Sequence, residues 1–506
     1  MHKSLIGFSK AALLASMLAA CGGGDSVIEV FSGTVIQNAT VVNTRDGSLS
    51  AGMYVVVQGG KIENITATEV RAMGAAQAVD GSGKYVVPGF LDMHAHVMDA
   101  ADASPPHWPL LIANGVTGVR EMSGSDALMA RAKKLNADAA AGLVDAPEIV
   151  QLHGGFAAVP ATAASGVEFV QQRKASGVDF VKITAGSPPF TLAVLAEAKA
   201  QGLTVAGHLV TGVSALASSN AGWHAIEHLG AGWGMFIDCA TDEANIRQQA
   251  LINGFAPPFP PTFTVNPRLY DITKNAPYYQ AILNTFSDSK CQALAQAFVA
   301  NDTWHVPTLI RLRTQTFSDT ALYRNDPNLV YVDATRRALF EQLAQQYAAT
   351  VPTAAAQTLR DFYAMELRAT KMLKQQGVKM MAGSDSANIA IWTIPGISLH
   401  QEFRELAAAG LTPLEILQMT TLNGAQFLKR EATMGTVEKG KNADLVLLDA
   451  NPIADAANLD KIYAVVLKGK PFSKSALDAM KSSVAAAYAN STVKPFSAIM
   501  DPNHID

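Results

Sequence analysis

Eight short apolar segments alternate with helix-forming stretches along the middle of this chain, and this alternation constrains the fold more than any other feature. Each segment is rich in Val, Ile, Leu or Met, and the residues after it are rich in Ala, Leu, Glu or Lys. Strands that alternate with helices favour a parallel sheet, and eight such units match a closed (β/α)8 barrel. The segments are FLDMHAHV, GVTGVREM, PEIVQLHGG, DFVKITAG, LTVAGHLV, AIEHLG, WHVPTLI and VKMMAGSDS.

Alternating apolar and polar residues near both ends of the chain predict a second, smaller β-structure. VIEVFSGTVIQNATVVN, MYVVVQGGKIENIT and KYVVPG precede the barrel segments, and ADLVLLDA and YAVVLKGK follow them. We therefore predict an α/β TIM barrel over residues 88–429 and a small β-sandwich domain built from residues 27–87 and 430–473. Residues 474–506 are predicted to be a C-terminal helical tail. The largest interruption, residues 254–301 with the proline-rich FAPPFPPTF, is expected to cover the barrel mouth or to pack outside it.

The first residues resemble a bacterial lipoprotein signal. A basic start leads into an apolar stretch that ends in Leu-Ala-Ala-Cys, so cleavage before Cys21 and lipidation of its thiol are expected. Residues 1–20 are then a signal peptide and residues 21–26 a glycine-rich tether, while an ordinary cleaved signal is the alternative. The expected location is the cell envelope, lipid-anchored and facing the periplasm. Gly22, in place of an aspartate, favours the outer membrane.

Composition limits the partners that this chain can have. Of its 506 residues, 49% are hydrophobic and 16% are charged, and the formal net charge is −4. Without a basic surplus, nucleic-acid binding is not expected; the expected partners are a small-molecule substrate and a membrane, and a homo-oligomer stays open. Cys239 and Cys291 are expected to be either a disulfide, which an oxidising periplasm permits, or two buried free thiols.

Polar residues recur where the predicted strands end, and in a barrel these ends meet at one mouth. His94 and His96 lie two residues apart in a strand, so both side chains point the same way. His208, His228 and Asp385 end the fifth, sixth and eighth strands. Because imidazoles and carboxylates are ligands for zinc and similar divalent ions, the sequence predicts a metal site at this mouth.

Lys182 lies between Val181 and Ile183 in a segment that predicts a buried strand. Taking an ammonium ion out of water costs several kcal/mol, so a lysine in this place needs a reason. A lysine whose amine has reacted with carbon dioxide is a carbamate, and this anion has two oxygens with which to bridge two cations. The alternative is a lysine that extends to the rim and leaves a site for a single metal.

These motifs together resemble the amidohydrolase superfamily. PGFLDMHAH, the lysine of FVKI, GHL, EHL and GSD occur in that order, and TLNGAQFL and GKNADLVLLD resemble the C-terminal signatures of the family. The resemblance extends over about residues 27–470 and implies a (β/α)8 barrel with a small β-sandwich built from both chain ends. Within the superfamily the chain resembles the imidazolonepropionase-related and Xaa-Pro dipeptidase-like branch, whose members are mostly binuclear zinc hydrolases of amide bonds.

The resemblance implies two divalent metal ions, expected to be zinc, with carboxylated Lys182 as the bridging ligand. A divalent metal lowers the pKa of bound water from about 15.7 to roughly 7, so hydroxide is available at neutral pH to attack a polarised carbonyl. Asp385 is expected to accept the proton and pass it to the leaving amine. The expected metal ligands are His94, His96, Lys182, His208, His228 and Asp385.

Four further residues are candidate contacts for the substrate. His153 ends the third strand beside two glycines, and it is expected to bind the substrate carbonyl and stabilise the oxyanion, unless it only packs at the rim. Arg311 and Arg313 follow the seventh strand, and either could hold a free carboxylate, with solvated surface arginines as the alternative. Tyr270 lies in the predicted insert and is expected to reach over the site. The histidines expected to be structural are His107, His224, His305 and His400.

The sequence therefore predicts a metal-dependent amidohydrolase that cleaves a C–N bond. Its expected substrate is a dipeptide of the Xaa-Pro type or an N-acyl amino acid, and a cyclic amide or imidazolone-type ring is the alternative. A non-catalytic metal- or solute-binding lipoprotein is the alternative from another class. Such a protein would have no need of Asp385 or of a bridging lysine.

Overall fold

The computed structural model describes residues 27–98, 107–156, 162–253, 265–269, 272–387 and 390–494. Cys21, Tyr270 and the proline-rich FAPPFPPTF lie outside these residues, so the lipid anchor, the lid and the Tyr270 contact stay predictions. Within the described ranges, no helix combines the length and the apolar character needed to cross a membrane.

The described residues form a mixed α/β structure, and their strands are numbered here in chain order. The strands are β1 (Ile28–Val30), β2 (Thr34–Val42), β3 (Leu49–Gln58), β4 (Lys61–Thr66), β5 (Val70–Ala72), β6 (Gln77–Asp80), β7 (Tyr85–Pro88), β8 (Phe90–Ala95), β9 (Val116–Glu121), β10 (Glu148–Gln151), β11 (Phe180–Ile183), β12 (Thr204–Gly207), β13 (Trp223–Glu227), β14 (Trp304–Val306), β15 (Leu445–Leu448), β16 (Ile462–Leu467) and β17 (Lys470–Phe472).

Strands from both ends of the chain share one sheet. Its order is β17-β16-β15-β7-β2-β3-β4 with β6 beside β2, and the junction of the two chain ends is the antiparallel pair β15–β7. Alternate residues such as Val55, Val57, Leu445 and Leu447 turn to one side and form a common core, as the period of two predicts. The prediction of one sheet from both ends is confirmed, while the sandwich and the domain boundaries stay predictions.

The first seven predicted barrel segments form parallel strands in two sheets, β8-β9-β10 and β11-β12-β13-β14. The eighth segment lies between the two outer strands β14 and β8. Met380 makes a parallel bridge to His305 of β14, and Ser386 makes one to Ala95 of β8. The predicted order of neighbours therefore agrees with the structure along these contacts.

Apolar side chains from the parallel strands pack together beneath the strand ends that carry the polar residues. Phe180, Ala206 and Met381 belong to this cluster, which also includes Trp304 and Val306. Residues two apart in a strand point the same way, so Lys182 follows Phe180 and His208 follows Ala206 on the same side. The apolar cluster therefore forms the floor of the region where the predicted site residues lie.

Helices follow most of the parallel strands, and local sequence signals set their ends. Ser125 and Ser187 accept hydrogen bonds from backbone N–H groups of the first turns, and Gly177 and Gly202 end two helices in the left-handed conformation. The α-helices are Trp108–Ala113, Asp126–Ala140, Ala163–Ser176, Pro188–Gln201, Ala215–Asn220, Phe236–Cys239, Glu243–Asn253, Ile272–Thr285, Asp288–Ala300, Leu309–Thr316, Ala321–Arg324, Ala334–Thr350, Thr353–Gln375, Ile397–Ala408, Pro413–Met419, Leu422–Phe427 and Lys474–Ala489.

A disulfide joins Cys239 to Cys291, which decides between the two alternatives left open by the sequence. It connects the short helix Phe236–Cys239 to the helix Asp288–Ala300 of the insert. At the C-terminus, the helix Lys474–Ala489 lies where the helical tail was predicted and buries Leu477 and Val484.

Candidate metal centre

Three predicted ligands meet in one buried cluster. His94 lies in β8, His228 directly follows β13, and Asp385 lies in the eighth segment. Their ligand atoms all lie within 4.8 Å of one another, and all three residues are buried. Oδ1 of Asp385 is 3.1 Å from Nε2 of His94 and 3.1 Å from Nε2 of His96. The ring centroids of His208 and His228 are 5.0 Å apart. Five of the six predicted ligands, all except Lys182, are therefore neighbours.

The partners of the imidazoles orient one ring nitrogen of each toward the cluster. Nδ1 of His94 lies 2.7 Å from Oε2 of Glu227, Nδ1 of His96 lies 2.6 Å from Oγ of Ser123, and Nδ1 of His228 contacts Oγ1 of Thr308. Within the part of the chain that the structure describes, Nε2 of His228 has no hydrogen-bond partner, and Nε2 of His94 faces Oδ1 of Asp385 at 3.1 Å. A hydrogen-bonding partner at Nδ1 with Nε2 directed inward is the usual arrangement of metal-binding histidines, so these residues fit a divalent ion.

Arg120 and Glu227 form a buried pair of opposite charges, and Glu227 also contacts Nδ1 of His94. Nη1 of Arg120 donates to Oε1 of Glu227 over 2.9 Å, and both side chains are fully buried. Burial raises the pKa of Glu227, but Arg120 and His94 outweigh it, so the pKa is lowered and the carboxylate is ionised. Burial lowers the pKa of His94, yet the negative charges of Glu227 and Asp385 outweigh this effect, so the pKa of His94 is raised.

The electrostatics of the cluster favour an ionised carboxylate beside a neutral imidazole. Burial alone raises the pKa of Asp385, but the Arg311 guanidinium and His228 hold it well below its usual range. Burial, together with Arg311 and His94, holds the pKa of His228 well below its usual value. The backbone is also unusual here, because φ is 54° at His228, 45° at Thr308 and 55° at Asp385. Such conformations cost energy in non-glycine residues and cluster at functional sites.

Lys182 and His153 contact the same backbone carbonyl, that of Met122. Lys182 is buried in β11, and its Nζ donates to the carbonyl oxygen of Met122 over 2.9 Å. Nε2 of His153 lies 2.7 Å from the same carbonyl, and Nδ1 of His153 accepts the backbone N–H of Gly155. Both residues therefore lie where the strands were predicted to place them, and Met122 links them.

The two candidate arginines have different environments. Arg311 is buried, and its Nε is 2.5 Å from Oδ2 of Asp385, so the interpretation as a solvated surface residue is wrong for this position. Arg313 lies two residues further along the helix, about 200° around its axis. It contacts Glu405 and the hydroxyl of Tyr323, and its side chain is 32% exposed. Arg313 therefore lies outside the cluster of His94, His228 and Asp385, and its role as a substrate contact stays a prediction.

Several supporting residues were not predicted from the sequence. A charged residue inside an apolar strand was the signal that singled out Lys182, and the same signal applies to Arg120 in GVTGVREM and to Glu227 in AIEHL. Ser123 and Thr308 carry no comparable signal. The supporting residues are Asp92, Arg120, Ser123, Glu227 and Thr308, of which Asp92 accepts hydrogen bonds from Ser384.

The four histidines predicted to be structural lie in other surroundings. His305 packs against Phe298, and burial lowers its pKa to about 3. His224 stacks on Phe427, and burial lowers its pKa to about 4. Nε2 of His400 lies 2.9 Å from the carbonyl oxygen of Asn114. His107 is buried at the start of the helix Trp108–Ala113.

The buried imidazoles and carboxylate at the ends of parallel strands of this α/β protein form a possible site for a divalent metal ion. A family model described as Amidohydrolase family matches residues 360–472. N-acetylglucosamine-6-phosphate deacetylase of Lysinibacillus sphaericus is 33% identical over 155 residues, which are 28% of this chain and 38% of that protein. N-substituted formamide deformylase of Arthrobacter pascens is 42% identical over 96 residues, which are 17% of each. The matched part thus spans less than two fifths of either relative.

Solved structures share the fold over most of the chain. A bottromycin amidohydrolase aligns with a TM-score of 0.66 and 19% identity, and covers 90% of this chain and 91% of that one. An Xaa-Pro dipeptidase with bound methionine aligns with a TM-score of 0.58 and 18% identity, and covers 87% and 99%. The match of residues 360–472 to the Amidohydrolase family model agrees with the resemblance to the amidohydrolase superfamily that the motifs predicted, and the solved structures share the fold.

Proposed function

We propose that this protein is a metal-dependent hydrolase that cleaves a C–N amide bond. The observation that carries the proposal is the buried cluster of His94, His228 and Asp385, in which Glu227 and Thr308 hold Nδ1 of the two imidazoles and so direct Nε2 toward the carboxylate. The relatives support the same bond type, since one is named a deacetylase, one a deformylase and one a dipeptidase.

The proposal extends to the full barrel and to two metal ions, for which zinc is our choice. The eight segments would close into a (β/α)8 barrel through the contacts of Met380 and Ser386 with the outer strands. His94 and His96 would hold one ion, and His208 and His228 the other. Lys182 would bridge them as a carbamate. The burial of Lys182 and its electrostatic interaction with Glu227, the partner of His94, support this role.

Divalent ions bound here would supply Lewis acidity toward a carbonyl oxygen and hydroxide at neutral pH. Asp385 would act as general base, because its low pKa keeps it ionised, and would return the proton to the leaving amine. His153 would donate a hydrogen bond from Nε2 to the carbonyl oxygen, for which it must exchange its bond to Met122. Arg120 and Glu227 would hold His94 in orientation throughout.

For the substrate we propose a dipeptide of the Xaa-Pro type or an N-acyl amino acid. The rival substrate is a cyclic amide or imidazolone-type ring, and the rival class is a non-catalytic metal- or solute-binding lipoprotein. Lipidation at Cys21 and a periplasm-facing position at the outer membrane remain part of the proposal. They rest on the signal-like N-terminal sequence alone.

A hydrolysis panel tests the proposed function. Purified protein is given Xaa-Pro and other dipeptides, N-acetyl amino acids, cyclic imides and imidazolones, with zinc and again after treatment with a chelator. We expect release of free amine from dipeptides or N-acetyl amino acids, abolished by the chelator and restored by zinc. Cleavage of rings alone would move the substrate to the cyclic class. No cleavage of any compound would contradict the enzymatic function and favour the binding lipoprotein.

A further inference from the structure

The residue before the helix Leu309–Thr316 does not cap it. The helix Pro188–Gln201 begins in the usual way, because the Ser187 hydroxyl accepts the backbone N–H of Phe190 in the first turn. Thr308 holds the corresponding position before Leu309–Thr316, but within the described residues its side chain accepts no N–H of that helix. Its backbone is left-handed, with φ 45° and ψ 50°, and its hydroxyl has other partners.

The Thr308 hydroxyl connects the start of this helix to the candidate metal centre. Its Oγ1 donates to the carbonyl oxygen of Pro307 over 2.8 Å, and it also contacts Nδ1 of His228. A hydroxyl has one hydrogen, and a carbonyl oxygen can only accept, so the hydrogen of Thr308 goes to Pro307. The contact with His228 then requires that Nδ1 carries a hydrogen and donates it. In the neutral imidazole this leaves Nε2 as the nitrogen with a lone pair for a metal ion.

A carboxyl oxygen of Glu402 supplies the cap that Thr308 does not. Glu402 lies in the helix Ile397–Ala408, is fully buried, and its Oε2 accepts the backbone N–H of Ile310 over 2.8 Å. The first N–H groups of a helix have no partner within it, so a buried helix start needs an acceptor from outside. Thr308, Leu309 and Ile310 are all buried, which leaves little access for water in this role. The acceptor therefore comes from a side chain of another helix.

We infer that Glu402 is a positioning residue of the candidate metal centre. By capping Ile310 it leaves the Thr308 hydroxyl to hold His228. His228 then keeps its hydrogen on Nδ1 and directs Nε2 toward Asp385. Without an acceptor at position 402, the start of the helix would have to recruit the Thr308 hydroxyl, and His228 would lose the partner that fixes its tautomer. The inference rests on the proposed metal site and adds to it a residue that touches neither metal nor substrate.

The tautomer of His228 is the first test, and it needs no metal. The full chain is prepared with isotopically labelled histidine and treated with a chelator, and its ring nitrogens are observed by NMR. The His228 signals are assigned from their loss in His228→Asn. We expect the hydrogen of neutral His228 predominantly on Nδ1. In Thr308→Val and in Glu402→Met the hydrogen should be shared between the two nitrogens, and Thr308→Ser, which keeps the hydroxyl, should restore the wild-type tautomer.

Zinc affinity shows whether Glu402 acts on the metal centre through this contact. The zinc dissociation constant of the full chain is measured by competition with a chelator. Glu402→Met, which fills the space without an acceptor, should bind zinc about 10–100-fold more weakly, the usual effect of losing support behind a metal ligand. Burial raises the pKa of Glu402 to about 8, so its side chain is largely uncharged at neutral pH. Glu402→Gln keeps an acceptor oxygen and should therefore stay within about twofold of the wild type.

Glu405→Met is the matched control on the same helix. Glu405 lies about one turn after Glu402 and accepts the hydroxyl hydrogen of Tyr363 over 2.6 Å. Its replacement removes a carboxylate from the same helix, so it should lower stability toward urea. Its zinc affinity should stay within about twofold of the wild type, because sites without shared partners act independently.

A wild-type His228 with its hydrogen on Nε2 would overturn the inference, as would equal zinc affinities of Glu402→Met and Glu405→Met. If Glu402→Met does not fold, Glu402→Gln decides, because a loss of about tenfold in that variant, which keeps the cap, would also overturn the inference. Hydrolysis of the amide panel is followed separately. The expected tautomer and zinc affinities without hydrolysis would uphold the role of Glu402 and reject the proposed hydrolase. A wild type that binds no zinc would reject the metal centre, and the tautomers of the variants would then decide whether Glu402 positions His228.

Discussion

Replacing Asp385 by asparagine is expected to lower kcat by at least about 10²–10⁴-fold, the usual contribution of general acid–base catalysis. The asparagine keeps the size of the side chain and one oxygen toward His94 and His96, but it cannot accept a proton. The variant should retain much of its zinc, because the imidazoles remain. The measurement is kcat on the best substrate of the panel, together with the zinc content of the same sample.

Asp302→Asn is the control for this substitution. Asp302 is exposed, pairs with Lys379 over 2.7 Å and lies at the other end of β14 from Thr308. Its removal should leave kcat within about twofold of the wild type, since exposed ion pairs contribute little. A loss of only a few-fold in Asp385→Asn, similar to that control, would show that Asp385 does not carry the proton.

Replacing Arg120 by methionine is expected to destabilise the fold by about 3–5 kcal/mol, because it leaves the Glu227 carboxylate buried without its cation. The side chains of Arg120 and Glu227 are both fully buried. The rings of Phe180 and Phe427 pack against the guanidinium, with their centroids 4.7 and 5.0 Å from Cζ of Arg120. Zinc affinity should also fall about 10–100-fold, since Glu227 orients His94. Urea denaturation and zinc titration measure the two effects.

A second substitution at the partner distinguishes loss of charge balance from loss of packing. The double variant Arg120→Met/Glu227→Gln should recover much of the stability, because it leaves no buried unpaired charge. Arg404→Met, which removes an exposed arginine paired with Asp460, should cost no more than about 1 kcal/mol. If Arg120→Met were no more destabilising than Arg404→Met, the buried pair of Arg120 and Glu227 would make no special contribution to the free energy of unfolding.

Much of the candidate site could be predicted because its residues follow regular strands. His94 and His96 were predicted to share a side of β8, and His208 and His228 follow the ends of β12 and β13, so their place at the ends of parallel strands could be read from the sequence. The resemblance to the amidohydrolase superfamily could also be predicted, since its motifs lie in short segments of fixed order. The shared sheet of the two chain ends followed from the same alternation of apolar residues.

The supporting contacts could not be predicted, because they join residues far apart in the chain. Glu227 bonds to His94 across 133 positions, and Arg120 bonds to Glu227 across 107. The interpretation of Arg311 as solvated was wrong for a related reason. Its burial depends on how the helix Leu309–Thr316 packs above Glu402, and the local sequence IRLRT does not specify which arginine turns inward.

Metal content is the measurement that tests the central claim most directly, namely that the buried cluster of His94, His228 and Asp385 is a metal centre. The full chain is saturated with zinc at neutral pH, freed of excess metal by gel filtration, and analysed for zinc per chain. The account predicts about two zinc ions in the wild type and a clear loss in His94→Ala and His228→Ala, with Asp302→Asn unchanged. A folded wild-type protein that retains no zinc, or the same zinc content in all variants, would contradict it.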